Sequence, residues 1–231
     1  KPKRGRFSDV LEYAAVALEQ RAEPRFFVCS FTQEPDNLEQ WRAYAHGPQG
    51  VAISFAYDGI GGGLHHFRVM PILMTEAVLY EHRLKARRLL WKIGAFAYEY
   101  EADKATGYAK YEDDWGGELA TSLAQDFLLF KNSAFSGERE IRLIVSDDRL
   151  NHFPSGIRHR VSGARIIPYL KSSDLFSGVS GAEDGARLPI VEVKLGPMAS
   201  DSLTARSVEV FLCDRGYPEA VVTRSSLPYR G

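Results

Sequence analysis

Cysteine is scarce: the chain of 231 residues has two, Cys29 and Cys213, far apart and in neither metal-binding nor redox spacing. That excludes a disulfide scaffold and a zinc ribbon, and it points to a reducing compartment. Long apolar runs are missing as well. Stretches such as Phe127-Leu128-Leu129-Phe130 fall far short of the roughly 20 residues that cross a bilayer, and no signal-peptide pattern opens the chain. Neither sign of charge dominates, since 29 Lys and Arg face 30 Asp and Glu for a formal net charge of −1. No electrostatic footprint for duplex nucleic acid or an anionic membrane follows. A Gly-x-Ser-x-Gly elbow, a Walker loop, a His-Glu-x-x-His pair and a Cys-x-x-Cys pair are all absent, so the common hydrolase, nucleotide and zinc signatures fail. His65 and His66 would face opposite sides of a strand with no third ligand spaced nearby, and no metal is expected. The expectation is a soluble, cytoplasmic protein with no membrane partner. The first residue is Lys1 rather than Met, so a trimmed N-terminus and a missing first strand are expected.

What is present suffices for a packed interior: 45% of residues are hydrophobic and 12% aromatic, and the length fits one domain spanning 1–231. Helical spacing of Leu11, Ala14, Ala15 and Leu18 predicts a helix over 7–22 behind Ser8 as cap. A β-prone strand follows at 26–32, then a short helix opened by Asp36 and Glu39 that carries Leu38, Trp41 and Ala45. Alternation predicts a strand at 50–57, and the glycines at 59–63 read as a hairpin loop, because a phosphate loop would lead into a helix. After a strand near 77–81 comes a helical insert over about 82–132. There a long helix with Lys85, Arg88 and Lys92 on its polar face is followed by an acidic stretch, and Gly116-Gly117 separates that stretch from a second helix. The basic face is expected to be solvated and balanced by the acids that follow. Strands at 137–146, 157–161, 165–170, 190–195 and 220–223 and a helix at 201–215 complete the pattern. Helices and strands do not strictly alternate, so the predicted class is α+β, with a mixed, largely antiparallel sheet, an inserted helical segment and a C-terminal helix.

The segment Ser136-Gly137-Glu138-Arg139-Glu140-Ile141-Arg142-Leu143 carries the clearest chemistry. Two carboxylates at i and i+2 of one strand would have α-carbons about 6.5–7 Å apart and project into one space. Such closeness raises at least one pKa, which marks functional sites, although Arg142 could relieve it in a plain salt-bridged ladder. Ser30 and Thr32 share one face at the end of the earlier strand, where they could donate to a ligand, help to orient Glu140, or simply terminate the strand as turn formers. Trp41 and Tyr44 could stack on a flat ring or pack in the core.

Two resemblances rest on these residues. The succession Val28-Cys29-Ser30-Phe31-Thr32, Trp41-x-x-Tyr44, Gly50-Val51-Ala52-Ile53-Ser54-Phe55, Glu138-x-Glu140-x-Arg142-Leu143-Ile144 and Ser225-Ser226-Leu227-Pro228-Tyr229-Arg230 resembles the mostly bacterial family known as domain of unknown function 2971. The order of a Ser-x-Thr strand, a strand at 50–57 and a Glu-x-Glu strand is similar to ADP-ribosyltransferases of the Arg-Ser-Glu type. This second likeness implies NAD as substrate, Glu140 as the catalytic carboxylate and Glu138 as the group that positions or activates the acceptor. Ser30 and Thr32 would then support the nicotinamide side, and Arg25 would be the candidate for the arginine that grips the diphosphate. The third hydroxyl of the family's Ser-Thr-Ser run is missing here. Expected partners are a nucleotide-type small molecule and a protein or nucleic-acid acceptor. Two alternatives stay open: a non-catalytic binding or interaction module of a bacterial defence or stress system, and a glycosidic hydrolase that does not use NAD.

Overall fold

A computed structural model of the chain describes residues 5–20, 26–45, 49–56, 73–106, 110–146, 157–171, 188–199 and 202–228. The class is α+β. The chain gathers into two compact units, one comprising 1–31 and 74–150 and the other 32–73 and 151–231.

The first unit opens with helix α1 (Phe7–Glu19). Ser8 lies inside the helix, and it is the Asp9 carboxylate that accepts the Arg6 N–H at 2.7 Å, satisfying a donor just ahead of the first turn. The strand β1 (Phe26–Thr32) has the predicted bounds, and its last residue, Thr32, already belongs to the second unit. Strand β3 (Leu73–Ala77) lies earlier than expected, and the residues after it form an isolated parallel bridge, Leu79 with Phe130. Helix α3 (His82–Thr106) and helix α4 (Glu112–Phe127) form the helical insert.

Gly116-Gly117 does not interrupt the second of these helices. Glu112, Asp113 and Asp114 form its first turn, where the helix dipole favours acids, and both glycines lie inside it. Gly116 is there because α1 crosses at that point: a β-carbon would fall 2.4 Å from Tyr13 Cβ and 3.1 Å from the Val10 carbonyl oxygen. The core of the unit is Val10 and Ala14 of α1, Tyr100 of α3, and Trp115, Leu119, Ala120 and Leu123 of α4. Tyr100 and Trp115 meet edge to face, with ring centroids 6.1 Å apart. Strand β4 (Glu140–Ser146) lies between β1 and β3 in a three-stranded sheet.

The second unit holds α2 (Leu38–Tyr44), β2 (Val51–Phe55), the hairpin β5 (Arg158–Ser162) and β6 (Arg165–Tyr169), β7 (Ile190–Leu195), α5 (Ser202–Asp214) and β8 (Val221–Arg224). The helix α2 is capped by Asn37 rather than Asp36, with Asn37 Oδ1 accepting the Glu39 N–H at 2.8 Å. Strand β7 pairs antiparallel with β2 and parallel with β8, so the pairing is mixed. Its register puts Val193 and Leu195 opposite Ile53 and Val51 on one face, and Glu192 opposite Ser54 on the other.

Candidate functional site

The candidate site lies in the first unit and is built where β1, β4 and the turn before β4 meet. Asn132 starts that turn by accepting the Ala134 N–H on its Oδ1 at 2.9 Å, and a 3₁₀ helix, η1 (Ser133–Glu138), follows. Arg139 then takes the left-handed conformation, φ 42° and ψ 53°, which costs a side-chain-bearing residue roughly 1–2 kcal/mol. The strand therefore begins at Glu140, and Glu138 is the last residue of the 3₁₀ turn rather than a strand residue. The expected i, i+2 geometry is replaced by a bent one. The two carboxylates still come together, through a cation that motif spacing does not reveal: Lys131 Nζ donates to Glu138 Oε2 at 2.6 Å and to Glu140 Oε2 at 2.9 Å.

Glu140 is not on an exposed working face. It is 5% exposed, and its oxygens accept from Arg142 Nε at 2.7 Å and Nη2 at 3.0 Å, from Lys131, and from the Ser30 hydroxyl on the neighbouring strand. Burial alone would push the carboxyl up. The hydrogen bonds from Arg142, Ser30 and Lys131 and the guanidinium charge outweigh it and hold the pKa at about 2. The opposite closeness effect, a raised pKa from two adjacent acids, does not arise at Glu140, because Lys131 and Arg142 neutralise the pair. Lys131 is in turn held above its ordinary value: desolvation lowers it, but its bonds to Glu138 and Glu140 prevail. The Glu140 backbone N–H donates to the Tyr80 hydroxyl at 3.0 Å, and Arg142 Nη1 reaches the Leu128 carbonyl beside the end of α4.

Of the residues singled out in the sequence, the structure thus brings together Ser30, Glu138, Glu140 and Arg142. Thr32, Trp41 and Tyr44 belong to the second unit, where they line a concavity of about 150 Å³ with Glu34, Asn37 and Val51. There Trp41 is 4% exposed and its indole N–H donates to Asp36 Oδ1 at 2.8 Å, so its ring is packed inside the unit. Tyr44, 65% exposed, is the aromatic surface of that helix. Asp36 also accepts from Ser225 Oγ at 2.7 Å and from the Ser226 N–H at 3.1 Å, which ties the Ser225-Ser226 motif to α2. Arg25, His65, His66 and the glycines at 59–63 lie outside the described residues.

The basic face of α3 is neither solvated nor paired with the acidic stretch after that helix. Arg88 Nε and Lys92 Nζ each stand 3.2 Å from the fully buried Asp126 of α4, and Lys85 Nζ donates to the Lys131 carbonyl at 2.6 Å. Two residues that complete these networks, Lys131 and Tyr80, carry no motif of their own, and Asp36, expected to open α2, instead accepts from Trp41, Ser225 and Ser226. For Lys131 the available signal was the Asn132 cap, which predicts a tight turn folding Glu138 back towards it.

Among the described residues, no group of three His, Cys, Asp or Glu side chains could hold a metal ion, and no helix is long and apolar enough to cross a membrane.

Residues 40–143 match the model of a protein family described as protein of unknown function (DUF2971). The matched stretch contains Trp41 and Tyr44, the 50–55 strand and Glu138 to Leu143, three of the pieces on which the likeness was read. The Val28–Thr32 and Ser225–Arg230 pieces lie outside it. No curated protein and no solved structure matches the chain. The match is to a family without an assigned activity and adds nothing to the ADP-ribosyltransferase likeness.

Proposed function

We propose that this protein acts on the nicotinamide–ribose bond of NAD or a related nucleotide, in the manner of an ADP-ribosyltransferase, with Glu140 as the carboxylate at the reacting sugar. The observation that carries the reading is that Ser30 of β1 and Glu140 of β4 stand on neighbouring strands, with the Ser30 hydroxyl helping to hold the Glu140 carboxyl down. This arrangement unites the two residues that the Arg-Ser-Glu resemblance pairs and leaves the acid ionised. In the reaction, the bond from the ribose anomeric carbon to the nicotinamide nitrogen breaks and its electron pair leaves with nicotinamide, while positive charge develops on the sugar. An ionised Glu140 that accepts a ribose hydroxyl would stabilise that charge more in the transition state than in the ground state. Glu138 would take the proton of the attacking acceptor, whether a protein side chain, a nucleic-acid base or water.

A second reading is favoured by the same contacts. Arg142 and Lys131 occupy both oxygens of Glu140, as they would in a non-catalytic binding module whose acid is purely structural. Incubation of the full chain with NAD separates the two. The first reading requires that free nicotinamide appear and that Ser30→Ala slow its appearance in a protein that still folds. The second requires intact NAD.

A further inference from the structure

We infer that Lys131 is the positioning residue of the Glu138/Glu140 pair: its ammonium, seated between the two carboxylates and braced from behind by Lys85, sets where both acids stand. This rests on the reading of Glu138 and Glu140 as the working acids.

Three independent features of the geometry lead to it. The first is the bridge itself, with contacts of 2.6 and 2.9 Å from one nitrogen to two carboxylates that belong to different elements, η1 and β4. The second is how Lys131 is fixed. Its N–H donates to the Leu79 carbonyl at 3.2 Å, its carbonyl accepts from Lys85 Nζ at 2.6 Å, and its ammonium sits 5.1 Å from the centre of the Phe135 ring. A lysine tied at its backbone on both sides and shielded by an aromatic ring has lost most of the freedom that makes surface lysines poor partners. The third is Arg139, whose left-handed backbone turns the chain between the two acids. Without that turn, Glu138 would start a regular strand and its carboxylate would not be delivered by a 3₁₀ end. Strain at a residue between two paired acids has an evident counterpart in the bridge it permits.

The groups that face the bridge are Glu138 from η1, Glu140 and Arg142 from β4, Ser30 from β1, Tyr80 from the segment after β3, and Lys85 from α3. Arg142 holds Glu140 independently, so removal of Lys131 leaves Glu140 one cation and takes the Lys131 cation from Glu138. The bridge therefore acts on the pair as a pair, and its loss should be felt at both acids.

The test uses the full chain with carbon-13-labelled glutamate. In Lys131→Met, the carboxyl signal of Glu140 should titrate at higher pH than in the wild type, by about one pH unit or more, and Lys131→Arg should restore it. A titration that does not move in Lys131→Met overturns the inference. Should Lys131→Met fail to fold, the wild type decides alone: a slowly exchanging Lys131 ammonium signal supports the bridge, and one that exchanges as fast as that of an exposed lysine overturns it. Nicotinamide release, measured in parallel, keeps the two claims apart. If the wild type releases none, the enzymatic reading falls while the titrations still decide the role of Lys131. If it does release nicotinamide, the acid limb of the rate profile should move upward in Lys131→Met and return in Lys131→Arg. An unmoved limb counts against the positioning role.

Discussion

Replacement of Glu140 by glutamine should destabilise the first unit by about 3 kcal/mol at neutral pH. The carboxyl is held at about 2 in the folded chain against an ordinary 4.5. That gap is worth about 3 kcal/mol at roughly 1.4 kcal/mol per pH unit, in line with the 3–5 kcal/mol typical of breaking a buried ion pair (~3–5). Because the folded-state pKa lies below the unfolded one, this contribution is complete above about pH 4.5 and is lost as the pH falls towards 2. At pH 3 the advantage of wild type over Glu140→Gln should have shrunk to about 1.5 kcal/mol. With two units in the chain, a single melting curve mixes their responses. Native-state hydrogen exchange at the buried amides of Leu119 and Leu123 isolates the first unit. Glu138→Gln is the internal comparison, with an expected loss of about 1–2 kcal/mol from one charged hydrogen bond. An unchanged exchange free energy in Glu140→Gln at neutral pH, or a difference from wild type that grows towards pH 3, would refute the reasoning.

The helix glycines give a paired prediction. Gly117→Ala meets open space and should gain about 1 kcal/mol from helix propensity, whereas Gly116→Ala must push α1 away from α4 and should lose about 1–3 kcal/mol despite the same gain. Thermal melts of the two variants check the sign. Arg139→Gly should be more stable than Arg139→Ala by roughly 1 kcal/mol, since both remove the side chain and only glycine accepts φ 42° without strain. Equal urea midpoints would contradict this. Asp36→Ala strands the Trp41 indole N–H, the Ser225 hydroxyl and the Ser226 N–H. It should cost the second unit about 2–3 kcal/mol, read from exchange at the β7 amides.

Periodicity made most elements legible. Strands β1 and β7 have their expected bounds, because apolar and β-branched runs closed by turn residues leave little choice. The errors arose where one residue type serves two purposes. Gly116 and Gly117 look like a break in any local reading; only the approach of α1, a contact across a hundred residues, shows why a glycine is needed in mid-helix. The alternation from Gly137 to Ser146 suggested one continuous strand, and the left-handed Arg139 that divides it has no signature, since arginine rarely adopts that conformation. In the site, Ser30, Glu138, Glu140 and Arg142 were legible because hydroxyls and acids in strand register are conspicuous. Lys131 was not, because a lysine beside an Asn cap looks like any solvated turn. The partners of Arg88 and Lys92 were equally hidden, because Asp126 reaches them only once α3 and α4 pack together.

The central claim is that an ionised, precisely seated carboxylate at position 140 drives glycosidic cleavage, and one comparison tests it most directly: the rate at which wild type and Glu140→Asp release nicotinamide from NAD at neutral pH. Aspartate keeps the charge for Arg142 and Lys131 but draws the acid back by one methylene, and a displacement of about 1 Å can cost about 10²-fold in rate. The account predicts measurable release by the wild type and a fall of that order in a folded variant. Equal rates in the two proteins, or no release from either, would contradict it.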